Sequence, residues 1–486
     1  MSLRNNGEDW LEGLTNGLGF GARILGRIGP VRKSFIKAYD QHIRSTYENL
    51  ARASGQPTLV EQRRDMALAI LHTMDRAVTR DLLGPATLKG TLNIIAREIL
   101  FPETNQQIKA DFIARNDCLP PGLLVISPTK ACNLHCSGCY ADSNQRGEKL
   151  DWLTLQRIID EAKKLWGTNF FVISGGEPFL YQDQKKGILD LVERNQDVFF
   201  QLFTNGTLID EGVAQRLGKA GNVTPGISIE GLKETTNRRR GPGVFDKVVN
   251  TMDLLNQARV PFGVSITATR ANFGEILSDQ TLNFFFEEMG ALYGWLFQYM
   301  PIGRTPDLSL MPTPKQRLFL FQRMWETVRN KQYFLADFWN SGVLSDGCIA
   351  AGGRGGYLHV DWNGNVAPCV FMPYSPINIK NAFAQGKNLN DIWAEPFFAA
   401  LRKWQQDYNP GLNSPQPHPN GNLLRPCPIR DHYREFRQLL DQYQPQPIDE
   451  NARQALEDPD YQKGMEKFDR KWASLVDPIW KKDYSS

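Results

Sequence analysis

Cysteine is scarce in this chain, with seven in 486 residues. A secreted disulfide scaffold needs a far denser supply, so that class is excluded. Long apolar runs are missing as well. No stretch reaches the roughly 18 apolar residues of a membrane span, and no compact apolar core before a small-residue cleavage site marks a signal peptide. Charge of one sign is also lacking: 56 Lys and Arg face 53 Asp and Glu, a formal net charge of +3. That balance gives no ground for a nucleic-acid partner. Hydrophobic residues make up 41% of the chain, ample for a core, and the length allows two or three domains.

The few cysteines are not scattered. Cys132, Cys136 and Cys139 stand in the run CNLHCSGC, a C-x3-C-x2-C spacing. Three thiolates this close can hold three corners of a cubic iron–sulfur cluster and leave the fourth iron open to a small molecule. Zinc is the rival occupant, but a closed structural zinc site needs a fourth Cys or His. His135 lies awkwardly between two of the ligands, and no partner pair follows at zinc-ribbon spacing. Free thiols are the third reading. Clustered metal ligands point to a reducing compartment, so a cytoplasmic location is expected.

Around the triplet the sequence resembles the radical SAM family. An apolar run, LLVISPT (123–129), leads into the Cys loop. The helical run LTLQRIIDEAKKLW (153–166), the strand FFVIS (170–174) and the turn Gly175-Gly176-Glu177-Pro178 follow. VFFQLFTNG (198–206) ends in Thr204-Asn205-Gly206, and GISIEGLKETTNRRRGPGVFDKVV (226–249) is similar to the family run holding a serine and an arginine, here Ser228 and Arg240. VPFGVSITATRANF (260–273) and LFQYMPIGR (296–304) resemble the fifth and sixth strands. Read without the resemblance, each run is a buried parallel strand.

The resemblance implies that Cys132, Cys136 and Cys139 hold a [4Fe–4S] cluster whose open iron chelates S-adenosylmethionine (SAM). It also implies that the Gly175–Pro178 turn, Thr204, Asn205, Ser228, Arg240 and Tyr140 line the SAM site. Two positions depart from the family pattern. Glu230 replaces the usual Asp, and Gly138 stands where many members carry an aromatic before the third cysteine, with Tyr140 following instead.

A second signal lies further on. Cys348 and Cys369 flank YLHVDWNGNVAPC (357–369), where Asn363-Gly364 predicts a β-hairpin turn. NLNDIWAEPFFAALRKW (388–404) follows, read as one amphipathic helix. This resembles the SPASM/twitch extension, which implies an auxiliary iron–sulfur cluster on Cys348, Cys369 and, in RPCPIRDHY, Cys427. Full SPASM domains carry more cysteines, so the shorter twitch-like form with one auxiliary [4Fe–4S] cluster is expected. His418, Asp431, His432 and Cys118 are candidates for its fourth ligand; buried ordinary thiols are the rival reading.

The organisation expected is an N-terminal helical region (1–120), a partial (β/α)6 barrel (121–330), a small α+β twitch-like domain (331–442) and a helical tail (443–486). The alternating strand–helix pattern itself predicts parallel βαβ units, with ligands at the C-terminal ends of the strands. The resemblance implies reductive cleavage of SAM and hydrogen abstraction from an unactivated C–H bond, with an external donor such as a flavodoxin or ferredoxin. Expected substrates are a peptide or protein, or an apolar, lipid-like molecule. Val370 stands where sulfatase-maturing relatives carry an acid, which argues against that branch, and no winged-helix-like peptide-recognition domain is evident. The opposing class is a non-catalytic iron–sulfur or zinc protein on the same fold. Residues 10–37 mix apolar and basic residues with Glu12 as their only acid, a pattern suited to peripheral membrane contact. His42, His72 and His359 read as structural or surface residues.

Overall fold

The computed structural model describes residues 29–54, 56–89, 102–409 and 421–484. Residues 10–28 of the basic apolar segment lie outside the described residues. Helices Gly29–Ser54, Pro57–Thr79 and Pro102–Asn116 come first, matching the 3.6-residue apolar spacing read over 59–83. No strand precedes Leu123 among the described residues.

The barrel strands are β1 (Leu123–Ile126), β2 (Phe170–Ile173), β3 (Phe199–Thr204), β4 (Val223–Ser228), β5 (Gly263–Ala268) and β6 (Tyr293–Gln298). All pair in parallel, in that order. Parallel neighbours need crossovers, and helices supply them. The helix Trp152–Trp166, for example, is started by the Asp151 side chain accepting from Thr154 N–H and stopped by Gly167 in the left-handed region. Its apolar face, including Leu155, Ile158, Ile159 and Trp166, is buried. Burial of such side chains at about 25 cal/mol per Å² is what holds the layers together.

The sheet extends past the boundary expected at residue 330. Strand β7 (Phe334–Asp337) adds in parallel to β6. At the other edge, β8 (Tyr357–Val360) pairs in parallel with β1, in the register Leu123↔Tyr357 to Ile126↔Val360. β9 (Asn365–Ala367) and β10 (Ile377–Asn378) continue antiparallel. The C-terminal hairpin therefore covers what would otherwise be an open, aggregation-prone edge of the barrel. The predicted hairpin is present, with a four-residue loop between its strands. Asp361 accepts from Asn363 and Asn365 N–H, and Gly364 takes φ +87°.

The expected single helix over 388–404 is two, Leu389–Trp393 and Pro396–Tyr408. Pro396 supplies no N–H and pushes the residue before it out of helical geometry, so the first helix ends and a second begins. The tail forms helices Glu450–Glu457 and Pro459–Asp483, held by Tyr461 Oη donating to Pro301 O and Trp472 Nε1 donating to Leu424 O.

Candidate iron–sulfur and SAM site

The Cys loop leaves β1 and is fastened from three directions. From below, the turn after β2 lies against its stem: Gly176 N–H donates to Thr129 O at 2.8 Å and Glu177 N–H to Ala131 O at 2.7 Å. A Cβ at Gly176 would collide with the Ala131 carbonyl, and Gly175 has φ +108° with Thr129 O close by. Glycine is therefore required at both positions by close backbone approach. From one side, Asn205 Nδ2 donates to Asn133 Oδ1 at 2.9 Å and lies 3.8 Å from Cys132 Sγ. From the other, Arg304 donates through Nη1 to Cys136 O at 2.8 Å, through its backbone N–H to Cys139 O at 2.9 Å, and to Ser143 O.

Cys132, Cys136 and Cys139 line one cavity of about 310 Å³ at the C-terminal ends of the strands. Of the other sequence-predicted residues, Tyr140, Gly175, Gly176, Thr204, Asn205, Ser228 and Arg240 share that wall. Glu177 and Pro178 stand behind it. Glu177 is fully buried: its carboxylate accepts from Thr204 Oγ1 at 2.6 Å, Asn205 N–H at 2.8 Å and Phe179 N–H at 3.3 Å. Burial raises its pKa to about 7 against those donors. Its visible work is to tie the β2 turn to the end of β3. Tyr140 Oη sits 2.7 Å from Ser174 Oγ and accepts from Gly175 N–H at 3.1 Å, so it braces the same turn.

The arginine run gives the wall its charge. Buried Glu230 receives both Arg239 and Arg240 on Oε1, each at 2.5 Å, and Thr267 N–H on Oε2 at 3.0 Å. Burial alone would raise the Glu230 pKa, but the two guanidiniums outweigh it and hold the carboxyl below its usual range. One carboxylate against two guanidiniums leaves a net positive wall. The buried Nε of Arg240 has no hydrogen-bond partner among the described residues, a costly state unless a ligand atom accepts from it.

These features fit a cluster-bound ligand that presents a carboxylate to this wall. Burial pushes the Cys132 thiol up to about 11, so a thiolate there needs a metal cation to favour it. Among the described residues, no three Cys, His, Asp or Glu side chains converge on one metal-ion position. A single tetrahedral zinc needs each sulfur at about 2.3 Å, whereas a cubic cluster spreads its thiolates over separate irons.

Gly138, the departure from the family pattern, has φ +62°, and a Cβ there would meet the Tyr299 ring at 2.6 Å. The aromatic absent from the loop is thus replaced in space by one at the end of β6. Tyr299 and Arg304 went unnoticed in the sequence, where LFQYMPIGR reads only as a strand. Arg239 was visible, but as one member of a basic run.

Cys348, Cys369 and Cys427 line a second cavity of about 340 Å³. Burial pushes Cys348 and Cys369 up to about 12 and raises Cys427 as well, so this site too calls for a compensating cation. Of the fourth-ligand candidates, Asp431 is engaged by buried Arg317 and accepts from Cys427 N–H at 3.2 Å. His432 Nε2 is 2.9 Å from Arg425 O, and Cys118 Sγ donates to Leu119 O. None of the three lines the cavity, and His418 lies outside the described residues. The two cavities share Trp295, Phe338, Ile349, Tyr357 and Phe371 as a common wall.

The fold thus sets a cysteine loop at the C-terminal face of a parallel barrel and joins it, through an edge strand, to a second cavity lined by cysteines. Comparison with known proteins gives the family. Residues 126–274 match the Radical SAM superfamily and residues 348–413 match SPASM, an iron–sulfur cluster-binding domain. The chain carries a radical SAM domain followed by a SPASM domain, the make-up of radical SAM enzymes. Its cofactors are a [4Fe–4S] cluster with SAM in the first domain and auxiliary iron–sulfur in the second.

It is 26% identical over 303 residues to an AdoMet-dependent heme synthase of Methanosarcina barkeri, covering 56% of this chain and 82% of that protein. It is 30% identical over 172 residues to the cysteine-type anaerobic sulfatase-maturating enzyme of Clostridium perfringens, covering 31% of this chain and 45% of that one. Among solved structures, Streptococcus suis SuiB bound to its precursor peptide SuiA aligns with a TM-score of 0.48 at 19% identity, over 61% of this chain and 70% of that one. No helix among the described residues is long and apolar enough to cross a membrane.

Proposed function

We propose that Cys132, Cys136 and Cys139 hold the SAM-binding cluster, that Cys348, Cys369 and Cys427 hold a single auxiliary cluster, and that the substrate occupies the apolar space between them. The observation that carries this reading is the shared aromatic wall: both cysteine sets face cavities that meet at Trp295, Phe338 and Phe371. When bound, the cluster and SAM supply reductive cleavage to methionine and a 5′-deoxyadenosyl radical able to take hydrogen from an unactivated C–H bond.

The chain's own residues then have distinct tasks. Arg240 Nε and the net charge of the Arg239–Arg240–Glu230 group receive the SAM carboxylate. Ser228, Thr204, Asn205 and the Gly175-Gly176 backbone bound the SAM site, with Glu177 and Tyr140 fixing the turn that shapes it. Beyond SAM, Phe203, Phe297, Phe338, Val370 and Phe371 form apolar walls. They orient an apolar carbon and exclude water from the reacting pair. Phe297 contacts Phe203, Phe338 and Phe371 at centroid distances of 5.5, 5.6 and 5.9 Å.

Those walls favour an apolar small molecule or an apolar peptide side chain. The names of the relatives point to heme synthesis and to sulfatase maturation. Val370, facing the cavity where sulfatase-maturing relatives carry an acid, weighs against sulfatase maturation. An external flavodoxin or ferredoxin supplies the electron. The division at residues 120, 330 and 442 is retained as a functional one, although one sheet runs through the second boundary. A cytoplasmic location, with peripheral membrane contact through residues 10–37, suits an apolar substrate. Liposome flotation of the full chain against a form lacking residues 1–40 tests the contact, which is refuted by equal flotation.

The substrate reading is tested by 5′-deoxyadenosine formation, anaerobically with SAM and dithionite, in the presence of matched apolar and highly charged peptides, a tetrapyrrole and a lipid. Stimulation by an apolar member supports it. Stimulation confined to the charged peptides overturns it.

A further inference from the structure

The wall between the two cavities contains one polar group poised on a cysteine. Tyr357 opens β8 and is nearly fully buried, at 2% exposure. Its backbone is fixed twice, by the β1 register with Leu123 and by N–H donation to Ile349 O at 2.9 Å. Its ring lines both cavities, and its hydroxyl lies 2.9 Å from Cys369 Sγ. Phe371 N–H approaches the same sulfur at 3.4 Å. A sulfur bound to iron carries no proton, so in the loaded protein the hydroxyl must be the donor. Hydrogen bonds to cluster sulfurs are one of the protein's means of setting a cluster's potential.

We propose that Tyr357 is a positioning residue for the auxiliary cluster: its hydroxyl donates to the Cys369 sulfur, stabilises the reduced state and raises the cluster's reduction potential, making it a better electron acceptor beside the substrate cavity. This rests on the reading that Cys369 is a cluster ligand. The edge strand explains why the position is rigid. β8 belongs to the auxiliary domain yet is held in the barrel sheet, so the backbone that carries this side chain is pinned by the β1 pairing.

The test is an EPR-monitored redox titration of the anaerobically reconstituted full chain. It is repeated in a Cys132/Cys136/Cys139→Ala background, so that the auxiliary signal stands alone. Tyr357→Phe removes only the hydroxyl. Its auxiliary midpoint potential is expected to fall by roughly 59 mV, the equivalent of a tenfold change in a one-electron equilibrium. Tyr374→Phe is the control: it is a buried tyrosine of the same domain whose hydroxyl donates to Ala452 O at 3.4 Å, and it leaves the potential unchanged. Should Tyr357→Phe fail to keep its cluster, 3-fluorotyrosine at position 357, a stronger donor of nearly the same shape, is expected to raise the potential.

An unshifted potential in Tyr357→Phe, an equal shift in Tyr374→Phe, or no rise with 3-fluorotyrosine overturns the proposal while leaving the ligand reading intact. A wild-type chain that binds only about four irons, those of one cubic cluster, overturns the ligand reading itself and the proposal with it.

Discussion

Replacing Gly176 by alanine should uncouple the Cys loop from the barrel. The new Cβ would stand 2.7 Å from the carbonyl carbons of Lys130 and Ala131 and closer still to the Ala131 oxygen. These are backbone atoms, so a side-chain rotation cannot relieve the clash. The turn must retreat, and in retreating it gives up the Gly176 N–H bond to Thr129 O and the Glu177 N–H bond to Ala131 O. Two such bonds are worth about 1 kcal/mol each, and overpacking adds roughly 1–3 kcal/mol, for a total loss of about 3–5 kcal/mol. Urea unfolding of the metal-free chain measures the loss, and iron bound after reconstitution measures the consequence for the site. Gly274→Ala is the matched control, because a Cβ there meets nothing within 4 Å. A Gly176→Ala chain with unchanged stability and full iron would refute the reasoning that close backbone approach builds this loop.

Three further outcomes follow from the same structure. Arg304→Ala removes the side-chain donors to Cys136 O and Ser143 O; it should lower stability by about 2–4 kcal/mol and deplete iron at the SAM site, while the auxiliary iron stays. Asp431→Asn leaves fully buried Arg317 without its ionic partner; a loss of about 3–5 kcal/mol in unfolding free energy is expected, with partial recovery in an Arg317→Met, Asp431→Leu double variant. His359 is buried against Ser127 Oγ at 3.0 Å, and burial holds its pKa down at about 4. Unfolded histidine titrates near 6.5, so only the unfolded chain takes up the proton as pH falls through that window. Stability is therefore present above about pH 6.5 and lost toward pH 4, by about 3 kcal/mol in full. His359→Gln should flatten that slope in urea titrations, and an unaltered slope contradicts the assignment.

Much of this architecture was legible because the barrel strands are short apolar runs between good helix signals. The Asp151 and Gly167 caps bracket a helix that periodicity alone places correctly. The cysteine triplet and the Gly-Gly turn could be read as neighbours because both follow strands of one parallel sheet. What escaped was long-range pairing. Nothing local in YLHV says that β8 will pair with β1, more than 230 positions earlier (Tyr357 with Leu123). Tyr299 and Arg304 likewise acquire their roles through contacts with a loop some 160 positions away, such as Arg304 with Asp142 and Ser143. The split of the helix over 388–404 was readable at Pro396, and the amphipathic pattern running through it masked the break.

Two iron–sulfur clusters in one chain, one of them cleaving SAM, can be tested directly. The direct measurement is an anaerobic reconstitution with iron and sulfide counted, followed by SAM, dithionite and mass spectrometry for 5′-deoxyadenosine, beside a Cys132/Cys136/Cys139→Ala variant. About eight irons and 5′-deoxyadenosine are expected in the wild type, and about four irons with no product in the variant, as two cubic clusters require. Zinc in place of iron, or full iron without SAM cleavage, would contradict it.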